Sequence, residues 1–217
     1  MNTNIKNLYS VSKDIQVVSN MPSFIPPGIH ENIRLIDVKY EMSDKGNWYL
    51  AFYFENEQGD KLSHTEFPVN PIKAFEELTQ EEKISFFLKV ENQRKRIGQI
   101  VTAFIPKEQY DFESDSFEDF AKNIIKLLTP SLNVVKVRVK VIYNNKNFTT
   151  LPNYWKHQFI ENMSVPSEKS KIKILNIDVE HMERTKANFV SKVEVNDVLD
   201  VDEKMSTEEV NDNNLPF

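Results

Sequence analysis

The chain has 217 residues, 40% of them hydrophobic, with 27 Lys and Arg against 33 Asp and Glu, enough apolar content to bury the core of one sizeable domain. The absence of cysteine excludes a disulfide framework, thiolate zinc sites and thiol catalysis. The beginning MNTNIKNLYSVSKD holds no apolar secretory core, and no run of apolar residues is long enough for a membrane span, so a cytoplasmic protein is expected.

The net charge of -6 is unevenly distributed. From Glu194 to Phe217 there are eight acids (Glu194, Asp197, Asp200, Asp202, Glu203, Glu208, Glu209, Asp212) and one base, Lys204, a net of -7. Residues 1–193 hold 26 bases and 25 acids, a net of +1. The acidity of the whole chain therefore says little about the surface of its folded part.

Residues 1–20, rich in Asn, Ser and Lys, read as a flexible arm. A domain is expected over residues 21–185. It opens on the loop MPSFIPPGIH, where Pro26 and Pro27 disfavour helix and Gly28 permits a turn. ENIRLIDVKYEM is a strand. DKGN turns into NWYLAFYFE, in which Trp48, Leu50, Phe52 and Phe54 share one face while Tyr49, Ala51, Tyr53 and Glu55 share the other. NEQGD turns again into KLSHTEFPV, completing a three-stranded meander.

A helical insertion follows at about residues 72–130. Thr79 with Glu82 forms a capping box, and Ile84, Phe87, Leu88, Ile97, Ile100, Val101 and Phe104 supply an apolar stripe as far as Pro106. Ser116 with Asp119 opens a second helix, with Phe117, Phe120, Ala121, Ile124, Leu127 and Leu128 facing inward before Pro130. Strands then return: VVKVRVKVIY alternates strictly, NNKN is a hairpin turn, FTTL pairs back, and KIKILNIDVE closes the set after a linker around MSVPSEKS. Residues 186–217 read as a disordered acidic tail with a partner-binding tip.

This order predicts a mainly β fold with a helical insertion, a five-stranded Greek-key OB barrel with two helices between strands three and four. A mixed α+β sheet with a two-helix layer is the alternative.

Alternation along Val134–Val141 sends Val135, Val137, Val139 and Val141 into a core and lines up Lys136, Arg138 and Lys140 on the opposite face, about 6.5 to 7 Å apart. That is near the spacing of phosphates along an extended single strand. No acid occurs between Asn133 and Glu161, where Lys146, Lys156 and His157 join Tyr143, Phe148, Tyr154 and Trp155. Cations that track a backbone, interleaved with rings on which bases stack, are what sequence-tolerant single-strand binding needs. Tyr49 and Tyr53, on the polar face of the second strand, and the helical run Arg94, Lys95 and Arg96 extend the candidate surface. A solvated outer strand face would carry the same lysines, and a run of three bases is commonly just a wet helix face.

Enzyme readings find little support. The glycines Gly28, Gly46, Gly59 and Gly98 form no phosphate loop or dinucleotide fingerprint, and His30, His64, His157 and His181 lack a metal-ligand spacing. Glu31, Asp37, Glu66 and Asp111 are carboxylates of the kind any chain carries. No enzyme activity, cofactor or metal is expected.

The ending NDNNLPF needs explanation. Pro216 stiffens the chain before Phe217, which carries a ring and a carboxylate together, a plug for an apolar pocket rimmed by bases that would also hold Asp212. A Leu/Ile-Pro-Phe ending arises by chance on the order of a few times in ten thousand. An OB barrel with an acidic tail ending in Leu215-Pro216-Phe217 resembles the single-stranded DNA-binding proteins, and PGIHENIRLIDVKYE, HTEFPV and YNNKNFTTLPNYWKHQFIE look like a divergent bacteriophage-encoded branch. The resemblance spans roughly residues 20–180 plus the tip. It implies coating of single-stranded DNA in replication, recombination or repair, and docking of a polymerase, primase, helicase or nuclease through the tip. Asn213 and Asn214 stand where the family often has acids. Oligomeric state stays open. The rival readings are a protein adaptor or virion assembly component with a C-terminal docking motif, and an annealing or nuclease-like enzyme.

Overall fold

In the computed structural model, which describes residues 23–184, one antiparallel sheet curls into a nearly closed barrel accompanied by a few helices. The strands are β1 (Gly28–Met42), β2 (Trp48–Glu55), β3 (Lys61–Glu66), β4 (Lys136–Tyr143), β5 (Thr149–Thr150) and β6 (Ile160–Asn162). Helices α1 (Gln80–Thr102) and α2 (Phe117–Leu128) lie between β3 and β4, and the single turn α3 (Asn176–Val179) follows β6. The sheet order is β3-β2-β1-β4-β5, with β6 also paired to β4. Between the two ends of that order, His64 Nδ1 and Thr150 Oγ1 stand 3.0 Å apart, linking β3 to β5. The N-terminal arm, the acidic tail and the tip residues Asp212, Leu215, Pro216 and Phe217 lie outside the described residues.

Local chemistry explains the meander. Gly46 and Gly59 supply the positive φ of the two turns. On β2, Leu50, Phe52 and Phe54 are buried, and Trp48 at the barrel end stacks on Tyr40 at 5.0 Å. On β1 the alternation breaks: Ile33 and Leu35 point inward, a bulge between Leu35 and Asp37 shifts the phase, and Val38 becomes the next buried residue. The inward face of β3 carries Leu62 but also His64 and Glu66, both buried.

Buried polar groups must be paired, and Glu66 is. Arg96 grips its carboxylate with two bonds, Nε to Oε1 at 2.5 Å and Nη2 to Oε2 at 2.6 Å, while Gln93 donates to Oε2 at 3.0 Å and to the Phe67 carbonyl at 2.7 Å. His64 Nε2 lies 3.1 Å from Oε1. This knot fixes α1 to the barrel. Burial alone would push the Glu66 carboxyl up, but hydrogen bonds from Arg96 and His64 hold it at about 2. A depressed folded pKa contributes stability that is complete above the ordinary value of 4.5 and is lost as pH falls from there through about 2. Acid unfolding followed by circular dichroism should therefore be steep in that window and flatter in Glu66→Gln. At neutral pH that variant should be less stable by about 3 kcal/mol, because Arg96 is left without its anion.

The capping box predicted at α1 is present, with Glu82 N donating to Thr79 Oγ1 and Thr79 N to Glu82. Its apolar residues divide differently from the expectation. Ile97, Ile100, Val101 and Phe104 are buried, whereas Ile84, Phe87 and Leu88 are 52%, 56% and 52% exposed. The nine residues from Leu88 to Ile97 carry the helix two and a half turns, to its opposite side, so one stripe cannot hold both sets. In α2, Ala121, Ile124 and Leu128 are buried, and Phe117, Phe120 and Leu127 pack partly covered against the core.

The predicted closing strand KIKILNIDVE is a further correction. Residues 171–175 pair with no strand and lead into α3, and the strand that pairs with β4 is β6, at Val137–Val139. Ile172 is buried by the alternation but Ile174 is not, which gives the segment an inner face without a ladder.

Candidate nucleic-acid interface

The cation row on β4 has the alternation expected of it and the wrong environment. Val137, Val139 and Val141 are buried, but Arg138 and Lys140 on the other face are only 3% and 0% exposed. The chain after β6 brings Asp178 and Ser167 to that face, and β1 and β6 supply Glu31 and Glu161. Lys140 Nζ donates to Asp178 at 2.8 Å and to the Tyr154 hydroxyl. Arg138 bonds Glu31 at 2.9 Å, Ser167 at 2.7 Å, and Glu161. Lys136 is exposed and paired with Glu57 at 2.7 Å. Arg138 and Lys140 are therefore corrected from ligand contacts to neutralised ion pairs inside the fold, and the row does not face solvent as a set.

A different basic surface exists beside it. One groove, of about 790 Å³, runs between the C-terminal half of α1, the 156–162 stretch and the 165–175 segment, and is lined by Lys156, His157, Lys171 and Lys173 with Glu161 its single acid. A second, of about 520 Å³, shares Lys156 and His157 and adds Lys89, Arg96, Tyr154 and Trp155, with no acid in its lining. Glu161 is already bound by Arg138, so the lining presents a net positive field to any polyanion.

Trp155 sits at the junction of two elements. Lys95 Nζ lies 4.4 Å from its ring centroid and Lys156 Nζ 5.6 Å, both within cation–π reach. Gln99 on α1 donates to the Trp155 carbonyl at 2.8 Å, which fixes the loop to the helix. A partly buried indole that lines the groove with two ammonium groups at its ring is a platform for a base and its phosphate. Tyr154 next to it serves the fold instead. Its hydroxyl donates to Asp178 at 3.0 Å and accepts from Lys140, and burial with that hydrogen bond raises its phenol well above the usual range. It anchors the loop from below.

The remaining predicted residues scatter. Arg94 and Lys95 are exposed on α1, Lys95 also pairing with Glu91 at 2.6 Å, and Arg96 is committed to Glu66 while its edge lines the groove. Tyr143, Lys146 and Phe148 belong to the β4–β5 hairpin, where Phe148 is 66% exposed and Arg184 lies 5.4 Å over the Tyr143 ring. Tyr49 and Tyr53 on β2 face an acidic neighbourhood. Tyr53 bonds Glu41, and desolvation, that bond and Asp37 together push its phenol up, while Tyr49 tilts against Phe67 at 5.1 Å. Of the predicted set, Trp155, Tyr154, Lys95 and Arg96 meet at one place. Lys171 and Lys173, unforeseen, line the neighbouring groove, which shares Lys156 and His157 with theirs, although their alternation in KIKI was the visible sign that both occupy one edge.

Among the described residues no group of three or more His, Asp or Glu side chains is placed to hold a metal ion, and no helix is long and apolar enough to cross a membrane. No protein-family model matches the chain, and no curated protein matches it.

Proposed function

We propose that the protein is a non-catalytic, sequence-tolerant single-stranded DNA-binding protein acting in the cytoplasm. Its nearly closed barrel is read as an OB-type Greek-key fold, with α1 and α2 as the enlarged connection between the third and fourth strands. The observation that carries the function is a pair of adjoining basic grooves: Lys89, Lys156 and His157 line one together with Trp155, an indole held to α1 with Lys95 at its ring, and Lys171 and Lys173 line the other, which shares Lys156 and His157. Phosphates run along the lysines and a base stacks on Trp155. The acidic tail and its Leu215-Pro216-Phe217 tip recruit replication or recombination proteins to the coated strand, as the family resemblance implies.

The reading is tested by the triple variant Lys156→Ala, Lys171→Ala, Lys173→Ala. Single strands release about 0.7 counterion per phosphate contact, so the slope of log K against log salt should flatten by about two. An unchanged slope would move the phosphate path away from this groove.

A further inference from the structure

The first half of α1 has no core beneath its outer face. Ile84 and Leu88 lie opposite the buried Gln93, Ile97 and Ile100, and with Phe87 and Phe75 they stay 38% to 56% exposed. The aromatic members pack on each other and on Phe86, with ring centroids 5.6 to 6.0 Å apart, and Lys83 Nζ lies 5.2 Å over the Phe75 ring. Together the four side chains expose on the order of 400 Å² of apolar surface, about half of what one partner contributes to a standard stable interface. The rest of such an interface is a polar rim, and the rim here has a particular order.

Along this face the helix reads Glu81, Ile84, Phe87 and Leu88, Glu91, Lys95. Glu81 lies seven residues before Leu88 and Lys95 seven after it, two turns in each direction, so all three share a face. The stripe is acidic at one end and apolar in the middle, and at the other it closes on Lys95, which bonds Glu91 of its own helix at 2.6 Å in the single copy. An exposed pair of this kind contributes little stability, so the lysine is available to a second acid, and reversing the stripe sets Glu81 against it. If a second copy crosses antiparallel with its two-fold axis at Leu88, each Glu81 meets the partner's Lys95 while Phe87 and Leu88 of both copies pack centrally.

We infer that the outer face of α1, centred on Phe87 and Leu88, is an isologous interface at which the protein dimerises through antiparallel pairing of two α1 helices, registered by Glu81 and Lys95. A nucleic acid does not suit this face, because its centre is apolar and one end is acidic. An anionic membrane is disfavoured by the same acids, Glu81 and Glu91, with Glu76 and Glu77 beside them in the preceding turn. Lys95 also reaches the Trp155 ring, so each copy's groove borders the interface and the two grooves flank the two-fold.

The test uses the full chain without DNA, by sedimentation velocity over a concentration series. Wild type should be a dimer, and Phe87→Asp with Leu88→Glu should be monomeric with an unchanged circular dichroism spectrum, since both positions are exposed in the single copy. Glu81→Lys and Lys95→Glu should each weaken dimerisation at least tenfold, and the two reversals in one chain should restore it. The restoration distinguishes this pairing from non-specific stickiness. A wild type that is monomeric throughout, a dimer that survives Phe87→Asp with Leu88→Glu, or a double reversal that fails to recover would each overturn the inference. DNA binding is measured separately in Phe87→Asp with Leu88→Glu, because Lys95 also touches the Trp155 ring.

Discussion

Trp155→Ala should weaken single-stranded DNA binding by about 10- to 100-fold, since one base stacked on an aromatic ring contributes about 1–3 kcal/mol. The same change should leave the melting temperature close to that of wild type, because Trp155 is held at the surface through its carbonyl, by Gln99, and by two lysines against its ring. Trp155→Phe should recover most of the loss, as a ring is what the base needs. The chain has two tryptophans. Trp48 stacks on Tyr40 at the barrel end, so the fluorescence that remains in Trp155→Ala should not respond to DNA. A response of equal size in that variant would place the bound strand near Trp48.

Lys140→Ala should destabilise the fold by about 3–5 kcal/mol, the ordinary cost of leaving one partner of a buried ion pair alone. Asp178 is fully buried, and without Lys140 its carboxylate would retain only the Tyr154 hydroxyl and the Leu175 amide at 2.8 Å. For a domain of this size the melting temperature falls by roughly 2–4 °C per kcal/mol, so a drop near 10 °C is expected in a thermal scan. Lys140→Met combined with Asp178→Leu should regain much of it, since apolar replacement of a whole buried pair is often neutral. If Lys140→Ala instead lowers DNA affinity with no change in melting temperature, Lys140 is a ligand contact after all.

These two residues mark where the amino-acid sequence is legible and where it is not. The meander β1–β3, the capping box at Thr79 and the α2 cap at Ser116 rest on interactions within a few residues, and all were readable. The alternation of β4 was readable for the same reason. What covers its second face was not, because Arg138 finds Glu31 at a separation of 107 residues and Lys140 finds Asp178 at 38. Period-2 spacing shows that two side chains share a face and says nothing of what lies over it. Glu66 and His64 inside the barrel were equally hidden, since a carboxylate in a strand reads as outward until Arg96, 30 residues on, is seen to meet it. The groove was half legible. Trp155 and the basic run of α1 both stand out in the sequence, but their meeting, and the arrival of Lys171 and Lys173, depend on how the chain returns across the barrel. The β6 strand is three residues long and too short to carry any pattern.

The most direct measurement is a fluorescence titration of the wild-type chain with oligo-dT, with duplex DNA of equal length and with single-stranded RNA, at low and at moderate salt. Binding at Trp155 predicts saturable quenching by oligo-dT, weaker affinity for the duplex, and an affinity for oligo-dT that falls as salt rises, because the groove lysines displace counterions. Absence of quenching by any single strand at low salt, with the protein folded, would contradict the account and leave a polypeptide-binding adaptor as the reading to pursue.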